Sequence, residues 1–280
     1  VVTATEVRDG YRELRVTYPD ADGQPIPAFL LVPDGDGPFP AAVVLHQHNG
    51  ERHLGKSEVV GHLGDPHQAL GARLVARGVV VLAPDARHFE DRRTGVTGTE
   101  PHRNDWLQHY NGLAHALVRG DTLARAVLDD CLRAVSVLSQ VRSASRATLG
   151  VVGHSFGGSC ALFLAALDPR VRWCVASGAA CTYRHKLAHG TGLEMALVIP
   201  GIADLLDIDD VVGLLSPRPT LLVSAERDPY SADAPAIVAR CEARGFGRLR
   251  HLRYPGGHAL DAQRTDDIVA WLATLLQLGA

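Results

Sequence analysis

Apolar positions recur along this chain in two rhythms. Short runs bounded by turn residues, at Ala41–Leu45, Val79–Ala83, Ala147–Val152, Val171–Ser177, Pro219–Ala225 and Leu249–Tyr254, read as strands buried on both faces. Between them the spacing becomes helical: Ala69, Leu70, Leu74 and Val75 within Asp65–Arg77, then Thr122–Val141, Gly158–Leu167, Ala234–Arg244 and Thr265–Leu278. The first 40 residues differ. Tyr11–Tyr18 alternates, Pro19–Gly23 turns and Ile26–Val32 is extended, which predicts antiparallel strands at the leading edge of the sheet. Strand and helix in alternation predict a doubly wound α/β domain, its sheet mostly parallel with helices on both faces. A single domain is expected over residues 1–280. Residues 88–120 and 179–213 break the alternation and read as insertions forming a lid or a wall of a substrate pocket.

At the junction of one strand and one helix stands Gly153-His154-Ser155-Phe156-Gly157, a G-x-S-x-G pattern. A serine on so sharp a turn needs small neighbours, and Gly153, Gly157 and Gly158 supply them. The bland alternative is a glycine-rich turn with a serine helix cap. If Ser155 is a nucleophile, it requires a base oriented by a carboxylate, in the order serine, acid, histidine. Asp228 follows the strand ending at Ala225, and His258 follows the strand ending at Tyr254, each past a strand's carboxyl end, where ligands gather in open α/β sheets. Glu226, in the same loop, is the rival acid, and His251 lies inside a strand and is a poor base. Oxyanion donors are expected from the backbone N–H of Phe156 and, in the loop His46–Gly50, from that of His48 or, second, Gln47. A metal bound by His46, His48 and His53 is the alternative for that loop, disfavoured because no carboxylate or cysteine stands at matching spacing. No metal and no cofactor are expected.

Together, Leu45-His46-Gln47, Gly64-Asp65-Pro66, Leu82-Ala83-Pro84-Asp85, Gly153 to Gly158, Ser216-Pro217-Arg218-Pro219 and Gly257-His258 resemble the α/β-hydrolase superfamily, in the branch of dienelactone hydrolases and acetyl-xylan-type esterases. The resemblance runs from about Pro40 to Leu275 and implies Ser155 as nucleophile, Asp228 as acid and His258 as base. Dienelactone hydrolases proper carry a cysteine nucleophile, so serine here favours ordinary esters. The two insertions are not generic to the family. Expected pocket residues are Arg87, His88 and Phe89 after a strand end, Trp106, His109, Tyr110 and His115 in the first insertion, and Tyr183, His185 and Met195 in the second. The expectation is a carboxylesterase working through an acyl-enzyme. An amidase or peptidase, a thioesterase or a lactonase is open to the same triad, and a non-catalytic binding protein is the remaining alternative.

Composition narrows the partners. Charged residues make up 21% and apolar residues 46%, ordinary for a globular chain. Net charge is −3 without long runs of one sign, which excludes a nucleic-acid or anionic-membrane footprint, and Arg92-Arg93 reads as a solvated loop pair. The expected partners are a small-molecule ester and, at most, a second copy of the chain as a homodimer. No 18-residue apolar run occurs, the first residue is Val1 rather than Met, leaving a removed leader open, and five scattered cysteines without a C-x-x-C point to a reducing, cytoplasmic location.

Overall fold

A computed structural model describes residues 1–278. Nine strands form one sheet: β1 (Val2–Arg8), β2 (Tyr11–Pro19), β3 (Pro25–Pro33), β4 (Phe39–Leu45), β5 (Val80–Pro84), β6 (Ala144–His154), β7 (Cys174–Ser177), β8 (Thr220–Ala225) and β9 (Leu249–Tyr254). Their spatial order is β1-β2-β3-β5-β4-β6-β7-β8-β9. β1 to β3 pair antiparallel and join β5 antiparallel, whereas every pair from β5 through β4 to β9 is parallel. This is the α/β-hydrolase arrangement, with the antiparallel leading edge that the alternation at Tyr11–Tyr18 predicts.

The continuous apolar runs are divided by the two-residue period of a strand. Ala41, Val43 and Leu45 of β4 enter one core with Val151, Cys174, Ala176 and Leu222, while Ala42 and Val44 enter the other with Val152, Val175, Leu221 and Val223. The first core is closed by helices Leu123–Leu138 and Phe156–Leu167, the second by Leu70–Val75 and Ala262–Leu276. Leu162 and Leu164 are wholly buried, and each such side chain contributes about 1.5–3 kcal/mol. All five cysteines are buried and unpaired.

Two elements are not evident in the hydrophobic pattern. β1 is exposed at every position, so it is held by its ladder with β2 rather than by burial. Residues 88–120 contain a helix, Asp105–Val118, whose only buried residues are Asp105 and His109. Arg92 and Arg93 are also a correction: neither is solvated. Arg92 bonds Asp20 and Asp130, and Arg93 forks onto Asp105, fastening the start of that helix. No helix among the described residues is long and apolar enough to cross a membrane.

Candidate functional site

Ser155 sits between β6 and helix Phe156–Leu167 with φ 56° and ψ −119°, a conformation that costs a non-glycine residue about 1–3 kcal/mol. Its surroundings enforce the turn. The Ser155 N–H donates to the Ser177 carbonyl at 2.8 Å, and its own carbonyl accepts from the Ser159 N–H at 2.9 Å. A β-carbon on Gly157 would overlap the Leu45 carbonyl, one on Gly153 would overlap the Gly157 backbone, and one on Gly158 would come within 2.7 Å of the Ser177 carbonyl oxygen. The glycines thus let helix and strands close to backbone contact while the Ser155 side chain, making no capping bond, points outward.

His258 Nε2 lies 2.7 Å from Ser155 Oγ, and His258 Nδ1 lies 2.9 Å from Asp228 Oδ1. Asp228 is buried, accepting from the Tyr230 N–H at 2.9 Å and the Ser231 hydroxyl at 2.5 Å. Burial alone would raise its pKa, but the bonds from His258, Ser231 and Tyr230 outweigh that and hold the carboxyl below its usual range. Glu226, the rival acid, is exposed to solvent, and His251 is tied to Ser224 Oγ within the sheet. Behind the His258 ring, at 4.9 Å, stands His154, which burial pushes down to about 3 and so keeps neutral. Tyr230 meets the same ring edge-on at 4.9 Å. Gly178, at φ 60°, leaves the space both histidines use, since a β-carbon there would come within 2.9 Å of each.

A cavity of about 520 Å³ opens over Ser155 and His258, lined also by His48, Arg52, Trp106, Phe156, Lys186, Glu194, Met195 and Tyr230. Beside it, sharing Ser159, Ala179, Lys186, Leu193 and Glu194, is a second cavity of about 330 Å³, largely walled by Leu162, Phe163, Leu197, Ile199 and Ile202. His48 and Phe156 thus face Ser155. Gln47 does not line the cavity, and its side chain turns away to Glu58 at 3.2 Å, a carboxyl that burial raises to about 7. His46 has neither ring nitrogen free for a metal, with Nδ1 against the Gln47 carbonyl at 2.7 Å and Nε2 accepting from the Ala86 N–H at 3.1 Å.

Several expected pocket residues lie elsewhere. Arg87 is turned back by charge, bonding Asp130 at 3.0 Å and Asp20 at 2.8 Å, outside the Ser155 cavity. His88 and His115 line a separate pocket beyond helix Asp105–Val118, and Phe89 is buried, stacked on Phe156 at 5.6 Å. Trp106 lines the cavity, whereas Tyr110 is an exposed residue stacked on Trp106 and outside the lining. Tyr183 lines the second cavity, and His185 stacks on His189 outside both. His109 is buried with its Nε2 3.7 Å from Glu194 Oε1. Sequence reasoning missed Arg52, Lys186, Glu194 and Tyr230. Tyr230, two residues after Asp228, had a positional signal; the three charged residues had none, because charged loop positions ordinarily face water.

One wall is fastened by a buried ion cluster. The Lys56 ammonium bonds Asp85 Oδ2 at 2.7 Å, Glu90 Oε1 at 2.5 Å and Asp91 Oδ2 at 2.7 Å. Asp85, Glu90 and Asp91 lie close enough together to hold a metal ion, but Lys56 already supplies the positive charge. Burial disfavours the ammonium, yet attraction from Asp85 and Glu90 outweighs it and raises the pKa above the ordinary 10.5. The attraction is therefore lost at the alkaline end as pH rises through the higher folded-state value of Lys56, and at the acid end as the carboxylates take up protons, burial having raised Asp85 to about 7. Lys56→Met should leave two buried carboxylates uncompensated and destabilise the protein by about 3–5 kcal/mol in denaturant unfolding at pH 7. A loss below 1 kcal/mol would show that the cluster does not hold the loops.

Comparison with known proteins places this geometry in context. The family model described as "Dienelactone hydrolase family" matches residues 26–179, over half the chain. The Bacillus subtilis (strain 168) protein YtaP, provisionally named a hydrolase, is 27% identical over 209 residues, covering 72% of this chain and 65% of its own length. The chain thus spans just under two thirds of that relative. Among solved structures, a Bacteroides fragilis protein provisionally described as an acetyl xylan esterase superposes with TM-score 0.75 at 17% identity, over 99% of this chain and 82% of that one. Acetyl xylan esterase 1 from Thermoanaerobacterium sp. JW/SL YS485 gives TM-score 0.65 at 19% identity, over 98% and 87%. At these identities the structural likeness speaks for the fold.

Proposed function

Because the chain belongs to the dienelactone hydrolase family, we propose that it hydrolyses carboxylic esters through Ser155, His258 and Asp228. The observation that carries the reading is the unbroken chain of short contacts, Ser155 Oγ to His258 Nε2 at 2.7 Å and His258 Nδ1 to Asp228 Oδ1 at 2.9 Å, opening on a cavity. In this reading Asp228 accepts a hydrogen bond from His258 Nδ1–H, which keeps that proton on Nδ1 and leaves Nε2 free to take the proton of Ser155 as its oxygen attacks the ester carbonyl. The negative charge that develops on the carbonyl oxygen is met by the backbone N–H groups of Phe156 and His48. Each such donor contributes about 3 kcal/mol to the transition state. His258 then gives its proton to the departing alkoxide. Water, deprotonated by the same imidazole, attacks the acyl-enzyme and releases the acid. No residue in this sequence of steps needs a cofactor.

Serine as the attacking atom, in place of the cysteine of dienelactone hydrolases proper, supports an ordinary ester as substrate. The test is a panel of para-nitrophenyl acetate and butyrate beside matched anilides and thioesters. The esters should be hydrolysed with EDTA present or absent, and the anilides should not. Cleavage of anilides alone would replace the esterase reading by an amidase, and inactivation by EDTA would require a metal.

A further inference from the structure

The second cavity is joined to the first along one face of helix Phe156–Leu167. Ser155, Ser159, Leu162 and Phe163 follow at the i, i+4, i+7 and i+8 spacing that stacks side chains on one side of a helix. Ser159 lines both cavities, while Leu162 and Phe163 line only the second. Facing them are Leu197, Ile199 and Ile202, all within the insertion 179–213. At the far end Ala203 and Asp204 are exposed, so the cavity opens to solvent there.

Charged groups stand only at the two ends of this passage. Lys186 and Glu194 are at the neck shared with the Ser155 cavity, where Glu194 is committed to His48 Nε2 at 2.5 Å, and Asp204 is in water at the other end. The remaining side chains of the wall are aliphatic or aromatic, Tyr183 contributing their one hydroxyl. That is fewer than the about two to four partners that hold a water molecule in place. An apolar ligand forfeits nothing in such a space and removes both its own surface and that of the wall from water.

The acyl half of an ester is the half that reaches it. His258, which protonates the departing alkoxide, and Tyr230 against its ring line the first cavity and not the second. The alcohol therefore departs on their side, and the acyl group is directed past Ser159. From Ser155 to Phe163 the helix rises about 12 Å. The volume of about 330 Å³, loosely filled, takes about six to eight groups of methylene size, each close to the roughly 30 Å³ of a water molecule.

We propose that the second cavity receives the acyl chain, so that the preferred substrates are esters of medium-chain carboxylic acids of about eight to ten carbons rather than acetyl esters. The assignment rests on the Ser155 ester-hydrolase reading and narrows it to one acyl class.

A series of para-nitrophenyl butyrate, hexanoate, octanoate and decanoate, each assayed at concentrations where it is monomeric, tests it. The readout is the ratio of kcat/KM between chain lengths, which is independent of how much active enzyme a variant yields. The wild type should gain up to about three- to fourfold per methylene, octanoate should exceed butyrate by about 10- to 100-fold, and the gain should level off at decanoate. Ile202→Trp, which fills the passage, should cut the octanoate-to-butyrate ratio by about tenfold or more. Ile199→Trp, on the same wall, should do the same and serves if the first variant fails to fold. Butyl and octyl acetate, which lengthen the alcohol instead, should stay within about threefold of each other. A flat or falling acyl profile in the wild type, a ratio that survives both substitutions, or a rise confined to the alcohol series would overturn the assignment while leaving Ser155 in place. Absence of hydrolysis for every ester would remove the esterase reading and this one together.

Discussion

Ser155→Ala is expected to lower kcat toward para-nitrophenyl butyrate by about 100,000-fold or more, the scale seen when a hydrolase loses its nucleophile. The loss should fall on kcat, because the substitution removes the attacking atom and leaves the cavity walls in place. Some rate above water should survive, since the Phe156 and His48 N–H groups would still meet a developing oxyanion. The protein should fold as before. Alanine keeps the β-carbon and therefore the strained φ of 56°, while the Ser155 N–H bond to Ser177 and the close-packed glycines are untouched. Stopped-assay kinetics with an unfolding curve on the same preparation checks both halves. Turnover equal to wild type would end the nucleophile assignment.

Asp228→Asn should cost about 10,000-fold in kcat. An amide in that place has two orientations, and each loses something. With its oxygen where Oδ1 stands, it still accepts from His258 Nδ1–H and the Tyr230 N–H, but no charge remains to stabilise an imidazolium. Turned over, its NH2 faces both donors and drives His258 into the tautomer whose Nε2–H cannot accept the serine proton. Glu226→Gln, an exposed residue in the same loop, should stay within about twofold of wild type, as surface changes usually do; a large loss there with a mild one at Asp228 would exchange their roles. A pH signature accompanies the variant. The Asp228 carboxyl lies below its ordinary 3.8 in the folded protein, so its stabilising contribution is present above that value and disappears as pH falls through the lowered one. Acid unfolding of Asp228→Asn should lack this component.

Much of the site could be read from sequence because its parts are local signals placed at strand ends. Ser155, Asp228 and His258 each follow a short apolar run, and the order of runs in the chain is the order of loops along one rim of the sheet. The glycines around Ser155 carry their reason in the turn itself. What could not be read depends on partners far along the chain. Arg87 follows β5 and is placed by sequence near the pocket, but Asp20 and Asp130 draw it away. Arg52 and Glu194 meet in the cavity though more than 100 positions separate them, and nothing near either marks it as buried. Helix Asp105–Val118 was hidden for a related reason. It buries Asp105 and His109 while Trp106, Leu107, Tyr110 and Leu117 stay exposed, so the residues it turns inward are not those an apolar stripe would mark.

The Lys56 cluster makes the two sides of the cavity unequal. On one side, segments 46–57 and 85–91 share a buried ammonium and its carboxylates, so the loop carrying His48 shifts only if the loop after β5 shifts with it. On the other side, Gly192 to Met195 reach the first wall through Glu194, by its contact with His48 and its longer approach to His109. One wall is thus fixed by a buried charge network, and the other is joined to it through the carboxylate of Glu194. Replacements of Gly192, Leu193 or Met195, which leave the Glu194 contact with His48 standing, should therefore alter the size of the space above Ser155 at little cost to its chemistry, whereas any change of span on the Lys56 side has to break a buried charge network first.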